Sequence, residues 1–234
     1  MDSFDALMQA IERCSADQKQ AIFQSIRQHI SIHELEVGFN VRAEVILEAI
    51  RRASDLTQRG VRGIIAETTF ALDVVPTMVG WTSEPIIGDA AYDTKLSRDN
   101  HSVRIQVKLQ RKRLGKPMMR GGMYVVEVQR TRGGERDGRK TRPYRFGEFD
   151  LLAVCMEPSA KDWHAFLYAS ARALRPDCRE PDIIDKFQFV PAFPAENDEI
   201  WTSDLSLALS RFTNVDAVSA GIKTPRLLSI LKSN

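Results

Sequence analysis

The sequence predicts an α/β (α+β) chain, a central mixed sheet flanked by helices and preceded by an N-terminal helical region. Three observations predict it. Apolar residues recur at helix period through residue 72, then at strand period between residues 88 and 130. Residues 149–156 form a nearly continuous apolar run, the mark of a strand covered on both faces. The order of helices, then a largely antiparallel strand group, then mixed elements places helices around a sheet. At 234 residues, 43% hydrophobic and 27% charged, the chain can bury one ordinary core.

The first helix covers 4–14, with Phe4, Leu7, Met8 and Ile11 at helix spacing. Ser15 caps a second helix, with Gln18 completing a capping box, and that helix directs Ile22, Phe23 and Ile26 inward. Residues 30–39 are ambiguous. A third helix over 41–53 turns Val45, Ile46, Ala49 and Ile50 inward. His29 and His33 stand four apart, but no third ligand is near, so surface or capping roles are expected. A fourth helix covers 59–72 and ends at Pro76, since proline cannot continue it. Its Ile64, Phe70 and Ala71 share a face with Glu67. A carboxylate on an apolar stripe needs a partner, because burying it unpaired is costly. Arg59 or Arg62 could supply it, or the carboxylate could point at a metal.

Residues 77–85 connect this helix to the sheet and carry Trp81 as an anchor. Gly88 to Gln110 then reads as two strands joined by a polar turn over residues 97–102. Asp89, Ala91 and Asp93 alternate on one face of the first strand. Ile105, Val107 and Leu109 form the apolar face of the second, leaving Arg104, Gln106, Lys108 and Gln110 on the other. Pairing the strands would gather Asp89, Gln106 and Lys108 at one edge. Residues 123–130 form a third strand, 149–156 a buried strand opened by Asp150, and 163–168 a further one. Four prolines break up the last third, and 201–212 suggest one more helix.

The net charge of +2 says little, but its distribution says more. Between Arg104 and Arg145 there are fourteen Lys or Arg against three acids, a local net of +11 that leaves −9 on the remainder. Such asymmetry suits a basic surface facing a polyanion. Cys14, Cys155 and Cys178 show neither a disulfide framework nor a zinc pattern, and are expected to be small buried hydrophobes. No run approaches eighteen apolar residues, and no targeting signal opens the chain, so no membrane partner and a cytoplasmic location are expected.

Glu67 on a helix, Asp89 on a strand, and Gln106-Val107-Lys108 on the next strand resemble the PD-(D/E)xK nuclease superfamily. Gly63-Ile64-Ile65-Ala66-Glu67 is similar to the G-x-x-A-E helix motif of several of its branches. The Q-x-K form is similar to the Mrr-like branch. The run from Arg142 to Val154, RPYRFGEFDLLAV, is similar to restriction-endonuclease-like proteins. The resemblance covers about residues 59–168. It departs from the superfamily pattern at two points: no proline directly precedes Asp89, and Gln106 carries no charge. Asp93 competes with Asp89 as the strand acid.

The resemblance implies a restriction-endonuclease-like fold with an N-terminal helical region (1–58), a nuclease core (59–170) and a C-terminal extension (171–234). It also implies a Mg²⁺-dependent, sequence-specific endonuclease of type II restriction kind that hydrolyses double-stranded DNA as a homodimer. Asp89, Glu67 and Gln106 would hold the metal, with Lys108 completing the catalytic set by orienting or deprotonating water. DNA contacts would come from Gln110, Arg111, Arg113, Gln129, Arg130, Arg132, Arg136, Arg139, Lys140, Arg142 and Arg145. Two other readings stay open: a structure-specific repair or junction nuclease, and a catalytically inactive nuclease-fold DNA-binding protein.

Overall fold

The computed structural model describes residues 3–219, except 28, 32, 87, 89, 131, 132, 137, 138, 141, 196 and 197; for 135, 136, 139, 140 and 214–219 it describes the backbone alone. The chain divides into two compact units, Met1–Arg59 and Gly60–Asn234.

The first unit holds α1 (Ser3–Arg13), α2 (Ala16–Arg27), α3 (Glu34–Phe39) and α4 (Ala43–Arg52). The capping box forms as expected: Ser15 N–H donates to Gln18 Oε1 at 2.9 Å, and Gln18 N–H to Ser15 Oγ at 3.2 Å. His33 caps α3, its Nδ1 accepting from Leu35 N–H at 3.1 Å, which accounts for that histidine without a metal. The expected inward faces are not buried. Phe4, Leu7, Phe23, Ile26 and Val45 all stay exposed. Four short helices in so small a unit provide too little opposing surface to cover every apolar stripe. Among the described residues of this unit the buried side chain is instead Glu36, which takes Arg27 as an ion-pair partner and Ala43 N–H as a donor.

In the second unit a six-stranded mixed sheet carries the core. Its strands are β1 (Thr82–Glu84), β2 (Thr94–Arg98), β3 (His101–Leu109), β5 (Leu151–Cys155), β6 (Phe166–Ser170) and β8 (Trp201–Thr202), in the spatial order β1-β2-β3-β5-β6-β8. β3 and β5 are parallel and the other neighbours antiparallel. A second, smaller sheet pairs β4 (Met123–Glu127) with β7 (Phe187–Val190). The sequence pattern did not mark β7, because three of its four residues are apolar and the period of two is lost. Residues 201–212 begin as β8 and become helical only at α7 (Leu205–Ser219), where Asp204 accepts from Ser206 N–H at 2.8 Å.

The period-two rule holds in the centre of the sheet. Leu151, Ala153 and Cys155 join Ile105 and Val107 in one apolar cluster with Ala66, Phe70 and the residues of α7. Leu152 and Val154 face the opposite way, into a second cluster with Val126, Tyr144, Phe149 and Ile184. Helices therefore flank a central mixed sheet, and core lies on both sides of β5. Cys155 is buried as expected, but Cys178 is exposed and Cys14 only partly covered, so the expectation of three buried thiols fails for two of them.

The fourth helix, α5 (Asp55–Thr69), starts earlier than its periodicity indicated and runs on through a π turn over Phe70–Val74. Its buried edge is Ala66 and Phe70, whereas Ile64 and Ala71 face outward. Phe70 sets this rotation by packing edge-on against the Phe166 ring at 5.3 Å.

Candidate active site

Residues 88 and 90–93 do not form the first half of a strand. β2 starts at Thr94, paired with Ile105, and the turn to β3 narrows to Asp99 and Asn100, with Asp99 in the left-handed region at φ 52°. Asp93 sits where the chain leaves the sheet. Its N–H donates to Ile105 O at 3.0 Å, and its carboxylate accepts from Val107 N–H at 2.8 Å. The carboxylate thus satisfies an edge donor that a longer β2 would have taken. Gln106 Nε2 donates to the same carboxylate oxygen. Asp89, the first choice for the strand acid, lies outside the described residues.

Gln106 is almost fully buried, and its Oε1 accepts from the Tyr144 hydroxyl at 3.1 Å. That oxygen is therefore engaged. The expectation of Gln106 as a metal ligand gives way to a positioning role, in which it links Tyr144 to Asp93. Burial raises the Tyr144 hydroxyl's pKa, which keeps the hydroxyl protonated and able to donate. Lys108, two residues on and on the same strand face, places its ammonium 5.5 Å from the centre of the Tyr144 ring. The Arg130 guanidinium also lies over that ring, at 5.3 Å. Pattern reading noted Tyr144 only as an aromatic among basic residues. A phenol between cations, just before a buried strand, was the signal that could have found it.

Glu67 approaches from α5. Arg62 pairs with Glu157 and Arg59 with Asp55, so neither neutralises Glu67. Among the described residues Glu67 makes no hydrogen bond or ion pair, but its titration responds to Asp93 and Lys108. Burial and the Asp93 charge push its carboxyl up to about 7, with Lys108 pulling the other way. Burial also raises Asp93, against the pull of Lys108 and of its two hydrogen-bond donors. Lys108 is lowered by burial, partly restored by Asp93 and Glu67. Two carboxylates, one ammonium and one phenol therefore share a partly buried place and set each other's protonation.

Asp150, the other acid of interest, is structural. It receives Arg104 N–H at 2.8 Å and the same guanidinium at 2.9 and 2.8 Å, and so fastens the start of β5 to β3.

Among the described residues, no group of three or more His, Cys, Asp or Glu is placed to hold a metal ion. A hard cation such as Mg²⁺ keeps several waters and takes only one or two carboxylates. Glu67 and Asp93 are the carboxylates that could meet that smaller requirement. Burial first, and the Asp93 charge second, hold Glu67 above the usual carboxylate range, and a cation would oppose both.

The expected DNA-facing set divides on inspection. Gln110 is buried, only 2% exposed, and belongs to the interior rather than to a DNA surface. Gln129 donates to Glu127, while Arg111, Arg130 and Arg145 pair with Glu127, Glu148 and Asp182. Arg113 and Arg142 are exposed. Arg132 lies outside the described residues, as do the side chains of Arg136, Arg139 and Lys140. No described helix is long and apolar enough to cross a membrane.

No protein-family model matches the sequence. No curated protein matches it either. Among solved structures, the chain is similar to a bacterial homing endonuclease at 19% identity, over 70% of this chain and 98% of that one, with a TM-score of 0.38.

Proposed function

We propose that this protein is a Mg²⁺-dependent endonuclease of double-stranded DNA, built on a Q-x-K variant of the PD-(D/E)xK site. The observation that carries the reading is the mutual perturbation of Glu67, Asp93 and Lys108 at the point where β2 leaves β3. Packing alone does not gather two acids and an ammonium, since burying each one costs free energy. The resemblance of Gly63–Glu67 and Gln106–Lys108 to the superfamily motifs supports the same reading.

Glu67 and Asp93 would hold the metal, with Asp93 taking the part first given to Asp89. Bound there, Mg²⁺ would supply an acidified water and relief of phosphate charge. Gln106 fixes the Asp93 carboxylate, and Tyr144 fixes Gln106. Burial lowers the Lys108 pKa, which eases proton exchange at its side chain, and Lys108 would orient the attacking water or protonate the leaving oxygen. Type II restriction-like specificity and a homodimer matched to a two-fold symmetric site complete the proposal.

The test is incubation of a plasmid and of branched DNA with the protein, in Mg²⁺ and in EDTA, with end mapping of the products. Discrete plasmid fragments in Mg²⁺ alone are expected. Cutting confined to branched substrates would reassign the protein to structure-specific repair. Binding without cutting under either condition would leave it a DNA-binding protein of nuclease fold.

A further inference from the structure

β3 does not end its work at Lys108. Three residues past Leu109 the chain enters a small hairpin, Lys112–Arg113 paired with Lys116–Pro117, whose second strand lies against the short helix Glu157–Ala160. Its two-residue turn is Leu114-Gly115, with φ of 50° and 76°. Positive φ at both positions is the type I′ hairpin turn, for which Asn-Gly or Gly-Gly is the ordinary choice. Leucine is a poor choice there. A bulky L-residue in the left-handed region is strained, and this one gains nothing by packing, because it is 94% exposed. Neither backbone geometry nor core burial accounts for a leucine at the tip.

The surroundings show what the tip can meet. Lys112, Arg113 and Lys116 flank Leu114, and among the described residues none of them makes an ion pair. Arg113, Lys116 and Arg120 line an open hollow beside the Leu114 tip, together with Pro117, Met118 and Met119. An apolar point ringed by unneutralised cations suits a polyanion whose interior is apolar, which describes a stacked duplex behind its phosphates. The location fits as well. Leu114 is six residues beyond Lys108, so their Cα atoms stand within about 20 Å of each other even if the chain is fully extended.

We infer that Leu114 is a wedge that the protein inserts between stacked base pairs, with Lys112, Arg113 and Lys116 on the flanking phosphates. The inference rests on the DNA-cleaving reading for its ligand, but not on cleavage itself. Insertion unstacks and unwinds one step, which kinks the duplex near the bond to be cut.

The experiment relaxes closed-circular plasmid with a metal-independent topoisomerase, in EDTA, with the full chain bound, and reads the topoisomer distribution after the protein is removed. The wild type is expected to lower the linking number in proportion to bound protein. Leu114→Asn, a residue at home in the left-handed region, is expected to abolish that shift, with DNA affinity reduced less than threefold and a melting temperature at or above wild type. Arg113→Ala is expected to weaken binding and flatten its salt dependence while keeping the shift per bound protein. An unchanged shift in Leu114→Asn overturns the wedge, as does bound DNA with no shift in either protein; both results leave the cleavage reading standing. A change in oligomeric state on Leu114→Asn, with unwinding unaffected, would overturn it in favour of a protein contact. Absence of DNA binding would overturn it too, and cleavage in Mg²⁺ then shows separately whether the nuclease reading falls with it.

Discussion

The Asp93 carboxylate accepts a hydrogen bond from the Val107 N–H at 2.8 Å, on the strand that carries Gln106 and Lys108. One side chain thus closes the sheet edge that β2 vacates and holds a negative charge beside Lys108. Asp93→Asn preserves an acceptor for the N–H but removes the charge. We expect it to fold, melt within a few degrees of wild type, and lose plasmid cleavage by at least about a hundredfold, the scale of a group acting at the reacting centre. Retained cleavage would return the metal-binding role to Asp89.

Glu67 gives a pH signature. Its carboxyl is raised from 4.5 in the unfolded chain to about 7 in the fold. A raised acid favours the fold while it is protonated in both states, and that advantage is lost as pH climbs through the folded value. Stability should therefore fall between pH 4.5 and 7 in the absence of metal. Glu67→Gln should remove this fall and melt higher than wild type at pH 8, by about 1 kcal/mol once solvent screening is allowed for. Melting curves of both proteins across pH 4–8 in EDTA check this. A lower melting temperature for Glu67→Gln at pH 8 would mean that Glu67 holds a stabilising partner.

Lys108 stands over the Tyr144 ring at 5.5 Å, with burial lowering its pKa. Lys108→Met keeps the side chain's length and removes a buried charge. Cleavage should be lost, while DNA affinity measured in EDTA changes less than about threefold, because one buried cation contributes little to the phosphate contacts. Equal losses in binding and cleavage would place Lys108 on the DNA backbone instead.

Arg104 and Asp150 provide the structural contrast. Asp150→Ala strands a guanidinium and a backbone N–H, and should cost about 1–3 kcal/mol in chemical denaturation. Cleavage per folded molecule should be retained. A selective loss of cleavage would bring Asp150 into the site.

Much of this arrangement was legible in the sequence, and the gaps have physical causes. Strand alternation placed Gln106 and Lys108 on one face and Ile105 and Val107 on the other, because β3 is covered on both sides and a shift of one residue would bury the wrong set. The capping box at Ser15 was readable because it is local. The start of β2 was not: a strand ends where a side chain replaces the ladder, and the bond from Val107 N–H to Asp93 spans fourteen residues. The rotation of α5 was hidden for the same reason, since Phe166, almost a hundred residues away, selects Phe70. Gln110 looked surface-bound because polar residues usually are, yet it lies inside with neither amide atom hydrogen-bonded. Gln110→Met should therefore raise the melting temperature, and a fall would show that the amide has a partner in water.

Whether Glu67 and Asp93 together form a cation site is tested most directly by titrating Mg²⁺ into the protein at pH 7 by calorimetry in two buffers of different ionisation heat. The account predicts saturable binding that releases about half a proton per ion, because Glu67 is half protonated at that pH and must ionise to bind. It also predicts that both the binding and the proton release are lost in Asp93→Asn. Binding with no proton release, or binding undiminished in Asp93→Asn, would contradict it.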